Sequence, residues 1–407
     1  MKKLLFIFVC IIGIATDLHA QQHVKYRLIM RNRGEYTLWD GVTVKTYGFA
    51  LKLAEQPGIP GPTLIANEGD TVTILAWNVS QGEPHTIHLH GLDVDQANDG
   101  VAHTSFEIKH MEEKSYKFIA THAGTFLYHC HVASVVHLQM GMYGLLKIHP
   151  KDGAKSAWTG GPRFDKQYSW LTSEMDKKWH DAPPEINHGD TTDMRPPVKI
   201  PKYLPTYFLV NGKSDWQLSQ DTNIFLKARA GEKVYLRLAN IGYFENRIII
   251  PPALKAEFID SDGRPLPASM RQDTMMVSPG ERYGVMLSAD ALLKDSIEVQ
   301  FINMNSHQKW KSHFINVQID NANSIDEMVS AFKTNIYPNP AEEIATIDNL
   351  SPGASIRVFN IIGEVVGNFT ATDEKLTFPT AGLPTGSYSV IIRTATTTRV
   401  FPLTVVH

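Results

Sequence analysis

Between residues 26 and 150 the chain alternates short runs of β-branched, aliphatic and aromatic residues with Gly, Pro and Asn breaks. Thr71-Val72-Thr73-Ile74-Leu75, Tyr116-Lys117-Phe118-Ile119 and Leu145-Leu146-Lys147-Ile148 are examples. Such runs suit a pleated, half-buried surface, and the breaks suit turns, so the spacing predicts a β-sandwich. The same texture returns after a polar stretch that ends Pro-rich near residue 203. Gln167-Tyr168-Ser169-Trp170-Leu171 opens this second block, and Lys233-Val234-Tyr235-Leu236-Arg237-Leu238 and Ile297-Glu298-Val299-Gln300-Phe301 continue it. A polar link near 321–334 leads to a last block with strands expected at Ser355-Ile356-Arg357-Val358-Phe359 and Ser387-Tyr388-Ser389-Val390-Ile391-Ile392. The fold class expected is all-β: two β-sandwich domains and a small C-terminal β-sandwich. The boundaries expected are 1–20 for a leader, 21–150 and 151–322 for the two domains, and 323–407 for the linker and last block.

Lys2 and Lys3, the apolar Leu4–Ala15 and the small residue ending Leu18-His19-Ala20 read as a cleaved secretory signal, too short to span a bilayer comfortably. Apolar residues continue past Cys10, which weakens a lipoprotein reading. Removing the leader leaves Cys130 as the only cysteine, and it has no internal disulfide partner in an oxidising compartment. A formal charge of -3 and a pI near 6.6 give no support to nucleic-acid binding.

Cys130 stands between two histidines, in Tyr128-His129-Cys130-His131. Upstream lies His85-Thr86-Ile87-His88-Leu89-His90-Gly91, and downstream lie His137 and Met142. Side chains alternate across a strand, so His88 and His90 share a face, as do His129 and His131, while Cys130 points the other way. His85, at odd separation from His88, joins the Cys130 side if the strand runs straight through. Two groups result. His85, Cys130, His137 and Met142 have the thiolate, two imidazoles and thioether of a type 1 copper site. His88, His90, His129 and His131 offer four imidazoles to one space, which suits copper or zinc. Cys130 is joined through the backbone to a histidine of the second group on either side.

A bland reading exists for each residue: a lone strand histidine is more often structural, and a methionine more often fills core. Met140 competes with Met142 for the axial place. His103, His110, His122 and His149 lack paired spacing and are read as ordinary histidines, as are His307 and His313 in the second block.

The first block resembles a cupredoxin domain of the multicopper oxidase (laccase-like) family. The resemblance rests on Trp39-Asp40-Gly41, Pro57-Gly58-Ile59-Pro60-Gly61-Pro62-Thr63, Glu68-Gly69-Asp70-Thr71-Val72, His88-Leu89-His90-Gly91, Asp99-Gly100-Val101 and Ala123-Gly124-Thr125-Phe126-Leu127-Tyr128-His129. The second block resembles the copper-free middle domain of three-domain laccases through Leu209-Val210-Asn211-Gly212-Lys213, Asp262-Gly263 and Pro279-Gly280-Glu281-Arg282-Tyr283. The last block resembles a type IX secretion sorting domain through Tyr337-Pro338-Asn339-Pro340-Ala341, Asn360-Ile361-Ile362-Gly363 and Leu383-Pro384-Thr385-Gly386-Ser387-Tyr388. These resemblances imply Greek-key sandwiches, type 1 plus type 2/type 3-like copper, a proton-handling role for Asp99, and type IX export to the cell surface or medium. The chain departs from the laccase pattern in three ways. Laccases carry Ser at the position of Cys130, hold type 1 copper in a third domain, and build the trinuclear centre from eight histidines in two domains, where this chain supplies four.

The function expected is a secreted copper oxidoreductase. It would take single electrons from a small-molecule or metal-ion reductant and pass them to a histidine-held copper site that reduces dioxygen. The missing four histidines suggest a homo-oligomer with a shared copper site. Two alternatives stay open: a relative of copper nitrite reductases, although His88 stands where that family has Asp, and a non-catalytic blue-copper carrier.

Overall fold

The computed structural model describes residues 21–181, 201–321, 334–360, 364–394 and 398–407. The expected leader, most of the Pro-rich stretch and most of the expected linker lie outside the described residues.

The first domain is built from β1 (His23–Thr37), β2 (Thr43–Ala50), β3 (Leu64–Asn67), β4 (Thr71–Asn78), β5 (His88–His90), β6 (Glu113–Ile119), β7 (Gly124–His129) and β8 (Tyr143–His149). They form two four-stranded sheets, in the orders β2-β1-β4-β6 and β3-β8-β7-β5. β1 pairs with β4, and β3 with β8, in parallel, and the other pairs are antiparallel. The alternation read from Thr71-Val72-Thr73-Ile74 appears directly in the structure, with Val72, Ile74 and Ala76 fully buried between partly exposed neighbours. These residues meet Leu28, Phe126, Tyr128, Leu146 and Ile148 in the core between the sheets.

β7 is buried along its whole length. Phe126 and Tyr128 face the domain's own core, while Leu127 faces a second apolar layer with Tyr143 and Leu145 of β8 and Leu171, Met175, Leu209, Ala239 and Ile241 of the second domain. Each large aliphatic side chain fully buried in such a layer contributes about 1.5–3 kcal/mol. The two domains therefore share apolar surface as well as a connection.

The second domain packs a six-stranded sheet on a five-stranded one. The first has the order Tyr207–Val210, Lys166–Met175, Lys233–Asn240, Arg282–Ser288, Glu257–Ser261, Arg264–Arg271. The second has the order Leu226–Arg229, Lys309–Asp320, Leu293–Ile302, Glu245–Ile249, Thr274–Val277. Its core includes Trp170, Leu236, Phe258, Val299 and Phe301. The strands expected from the sequence all lie within these elements. The last block, a separate compact unit from Asn323 onward, holds a three-stranded and a four-stranded sheet around Ile347, Ile356, Val390 and Leu403.

Between Cys130 and His137 the chain turns through Ala133, at φ 44°, into α1, a short helix over Ser134–Gln139. The helix carries the first domain onto the second. Gln139 acts there as a surrogate peptide: its Nε2 donates to the Glu174 carbonyl (2.9 Å) and its Oε1 accepts from the Asp176 N–H (2.6 Å). Further bonds close the boundary, among them Tyr143 Oη to Ser173 Oγ (2.9 Å), Tyr36 Oη to the Gly212 carbonyl (2.7 Å) and Arg237 Nη1 to Thr125 Oγ1 (2.9 Å). Buried polar groups paired in this way fix one geometry, because leaving any of them unpaired costs about 1–3 kcal/mol.

Glu174 is fully buried at this boundary, and its Oε1 accepts from the N–H groups of Phe244 (3.0 Å) and Tyr243. Burial pushes its carboxyl from 4.5 up to about 8, against the opposing effect of those two donors. A folded-state value above the unfolded one means that full stability is present below about pH 4.5 and is lost as pH rises to about 8. Unfolding free energies measured in urea should fall across this window by on the order of a few kcal/mol relative to Glu174→Gln, whose curve lacks this slope. Parallel curves for the two proteins would show that Glu174 ionises freely in the folded state.

Candidate metal centre

The site follows from the pairing of β5, β7 and β8. His88 lies directly opposite His129, and His90 opposite Leu127. Directly paired residues point to the same face, so His88, His90 and His129 share one side while Leu89, Tyr128 and Cys130 take the other. Leu89, Tyr128 and Cys130 are all fully buried in the core of the first domain. The β7–β8 register pairs His129 with Tyr143, and the Cys130 N–H continues it by donating to the Met142 carbonyl (3.0 Å). Met142 thus stands opposite Cys130, fully buried in the same core cluster. Met140 packs instead with Val136 and Trp179. Met142 is thus the methionine on the Cys130 side of the sheet.

His85, Cys130 and His137 are all buried, and one potential ligand atom of each lies within 4.8 Å of the others. Cys130 Sγ is 3.7 Å from His85 Nδ1 and 3.2 Å from His137 Nδ1. The His85 and His137 rings are 4.8 Å apart, centre to centre. Metal–sulfur and metal–nitrogen bonds of about 2.3 and 2.0 Å place such ligand atoms about 3.5 Å apart, so the donor set fits a small ion. His85 reaches the thiol although the strand is broken before His88; its backbone is held by an isolated bridge to Ile108. Outer contacts turn both rings inward. His85 Nε2 bonds Ser80 Oγ (2.8 Å), and His137 Nε2 lies 3.7 Å from Glu83 Oε2. Each contact leaves Nδ1 toward the sulfur. Burial pushes the Cys130 thiol up to about 12, a cost that a bound cation would offset by stabilising the thiolate.

On the other face, His88, His90 and His129 form a second group with potential ligand atoms within 4.8 Å. His88 Nδ1 bonds the Asp99 carbonyl (2.7 Å) and lies 3.4 Å from its carboxylate, which leaves Nε2 free for a ligand. His129 Nδ1 bonds the Cys130 carbonyl (3.0 Å), and its Nε2 is 3.3 Å from His90 Nδ1. Burial lowers His129 to about 3, and burial followed by the nearby Arg282 charge lowers His90 to about 4, so both are neutral imidazoles ready to ligate. The ring of His131, the fourth residue expected here, is 5.2 Å from that of His88, within the 5.1–5.7 Å range of the other three, and 6.1 Å from that of His129. The group whose ligand atoms lie within 4.8 Å of one another is His88, His90 and His129.

Sequence reasoning missed Ser80, Glu83 and Tyr47 around the first group and Arg282 beside the second. Arg282, from the second domain, is buried against Gly91 and bonds the Gly280 carbonyl (2.6 Å), Asp262 (2.9 Å) and the Thr125 carbonyl (3.3 Å). Gly91 has φ +87°, and any Cβ there would collide with that guanidinium, which explains the glycine after His90. Only Pro279-Gly280-Glu281-Arg282 marked this region in the sequence, and nothing in it pointed to His90. His103, His110, His122 and His149 stand outside both groups. His110 Nδ1 bonds the Ser80 carbonyl (2.7 Å).

Replacing Cys130 with Ser should abolish the intense visible absorption of the copper-loaded protein, because that band needs a copper–thiolate bond. The isosteric change should leave the far-ultraviolet circular dichroism unchanged. A Cys130→Ser protein that stays blue would exclude Cys130 as a ligand.

Two family models described as multicopper oxidase match residues 55–153 and 175–321, and a secretion system C-terminal sorting domain matches residues 335–404. The copper-containing nitrite reductase of Neisseria meningitidis is 27% identical over 232 residues, 56% of this chain and 52% of that protein. The L-ascorbate oxidase of Nicotiana tabacum is 24% identical over 326 residues, 75% of this chain and 53% of that protein. The chain spans about half the length of the curated relatives it matches. Among solved structures, the blue copper oxidase of Nitrosomonas europaea is similar with a TM-score of 0.58 at 25% identity, over 74% of this chain and 86% of that one. The last block is thus a sorting domain of type IX secretion, and the chain before it belongs to the multicopper oxidase family.

Proposed function

We propose that the protein is an exported laccase-like copper oxidase whose two ligand groups divide the work. The observation that carries this reading is the backbone of His129-Cys130-His131, which joins a buried thiol site on one face to a histidine cluster on the other. His85, Cys130, His137 and Met142 would hold type 1 copper, and His88, His90, His129 and His131 type 2/type 3-like copper. Bound at these groups, copper would supply one-electron redox chemistry at the first and dioxygen chemistry at the second. The residues do the rest. The buried first group keeps water away from the thiolate and holds its ligands in one geometry. Cys130 gives an accepted electron a covalent route of one residue to His129 or His131. Asp99, beside His88 Nδ1, is the proposed proton-handling group, since reducing dioxygen to water consumes four protons with four electrons. The domain boundaries follow the sequence reading, with the leader removed on export and the last block addressing the chain to the cell surface or medium.

The second group is open on one side, with His88 18% exposed in its side chain. Four histidines are half of the family's trinuclear set, and the described second domain places Arg282, not histidine, against His90. A two-fold homodimer with histidine clusters facing each other would supply four and four, and two-fold pairing is the commonest oligomer symmetry.

One observation favours a second reading. The tight cluster is a trio, His88, His90 and His129, which suits a single copper, and nitrite reductases are among the relatives. Nitrite is then the acceptor to compare with dioxygen.

His90→Ala and His129→Ala should keep the blue band and lose oxygen uptake with a phenolic donor by about a hundredfold or more, as expected when an essential metal ligand is removed. Oxygen uptake that survives in both variants would remove the second group from the reaction, and nitrite reduction without oxygen uptake in the parent would favour the alternative. Sedimentation combined with copper analysis should give a dimer carrying about five coppers, two at thiol sites and three shared. A fully active monomer would overturn the shared site.

A further inference from the structure

The boundary between the first two domains has a polar tier beside its apolar one. Leu127, Leu145, Leu171 and Ala239 belong to the apolar layer. Two positions along the same four strands stand Thr125, Lys147, Ser169 and Arg237, which alternation puts on the same faces. The registers agree: Thr125 pairs with Lys147, and Ser169 with Arg237. Arg237 is 0% exposed; its Nη1 donates to Thr125 Oγ1 (2.9 Å) and its Nε to Gln167 Oε1 (3.3 Å), while Nη2 has no partner. Lys147 is half-buried and has no hydrogen bond or ion pair among the described residues. Burial, and then the Arg237 charge, hold its ammonium below the usual lysine range.

This tier is short of negative charge. Asp260 faces Arg237, but its Oδ2 accepts from the Tyr235 hydroxyl (2.6 Å) and burial pushes its carboxyl up, toward the neutral form. A buried cation left unpaired is costly, and an anion that reached it would be held strongly. Lys147 opens into a cleft of about 560 Å³ whose walls include Thr63 of the first domain and Gln167 and Ser169 of the second. The Thr63 and Ser169 hydroxyls and the Gln167 amide nitrogen are donors without a protein acceptor among the described residues. Lys166 and Asp221 also line the cleft, and both are engaged. Lys166 Nζ donates to the Lys227 carbonyl (3.2 Å) and lies 3.7 Å from Glu232, and Asp221 Oδ1 accepts from the Asn223 N–H (2.8 Å).

We propose that this cleft binds a tetrahedral oxoanion, phosphate or sulfate, held by Lys147 and the donors of Thr63, Ser169 and Gln167, and that the ion ties the first domain to the second. The chemistry of the walls selects the class. An ammonium, two hydroxyls and an amide nitrogen can meet several oxygens at once, which a tetrahedral oxoanion presents and a chloride does not. The oxoanion also brings the charge that Lys147 and Arg237 lack. Because Lys147 and Thr63 come from one domain and Gln167 and Ser169 from the other, the bound ion bridges the boundary where its apolar layer ends. The site stands whether or not copper fills the two ligand groups.

The test titrates inorganic phosphate into the full copper-loaded chain by calorimetry, at constant ionic strength set with chloride. Lys147→Gln should weaken phosphate binding about tenfold or more, as loss of a charge-assisted contact predicts. Ser169→Ala, which removes one neutral donor, should weaken it about threefold. Glycerol phosphate, run beside it, tells a free ion from the end group of a phosphate ester, and dependence on Lys147 with either one supports the site. Thermal unfolding gives a second readout. Without oxoanion, Lys147→Gln should unfold at the parent's temperature or above it, because an unpaired buried charge is gone. Added phosphate should raise the parent's unfolding temperature with concentration and leave that of Lys147→Gln unchanged. Equal phosphate binding in parent and Lys147→Gln, the result expected if copper or an exposed lysine held the ion, overturns the proposal. So does an absence of binding at millimolar phosphate, or a Lys147→Gln protein less stable than the parent before any oxoanion is added.

Discussion

The two-residue alternation that β7 carries through His129, and that the Cys130 N–H bond to the Met142 carbonyl extends to Cys130, is the constraint on which the rest depends. A pleated backbone sends neighbouring side chains to opposite faces, so His129 and Cys130 face two different residue groups that share a backbone. His88 across from His129 and Met142 across from Cys130 extend each site to the neighbouring strand on the correct face. A one-residue slip in either pairing would exchange the faces and put a thioether among the imidazoles. The register is held by what surrounds it. Leu89, Phe126 and Tyr128 are fully buried on one face, and Leu127 is fully buried against the second domain on the other.

The second domain supports this arrangement without offering a metal-binding cluster among its described residues. Gln139, at the end of α1, is bonded to the peptide groups of Glu174 and Asp176, so the helix that carries His137 is tied to a strand of the other domain. Arg282 lies beside the histidine cluster, and burial followed by its charge lowers the His90 pKa. Neutral, oriented imidazoles and a shielded thiol are what a copper site needs before any ion arrives.

Much of this was legible in the sequence, because strand periodicity and residue chemistry are local. Val72, Ile74 and Ala76 declared their buried face, and the parity of His88, His90, His129 and Cys130 separated the two groups. Met142 was already preferred to Met140 in the sequence, and the pairing register sets Met142 opposite Cys130 while Met140 packs with Val136 and Trp179. The short helix over Ser134–Gln139 was hidden because six residues between ligands carry too little periodicity to announce one turn of helix. Ser80, Glu83, Tyr47 and Arg282 were hidden for another reason: each reaches the site through tertiary contact, and no spacing rule links them to Cys130. Alternation gives the face of a side chain but not the reach of its ligand atoms: the His131 ring is 5.2 Å from that of His88, while the group within 4.8 Å of one another is His88, His90 and His129.

The central claim is that one strand divides metal between two faces. Anomalous-difference density from a crystal of the copper-loaded protein, collected at the copper edge, tests it most directly. The account predicts separate peaks on the two sides of β7, one among His85, Cys130 and His137 and one among His88, His90 and His129. A single peak that engages ligands from both groups, or copper bound elsewhere with both groups vacant, would contradict it.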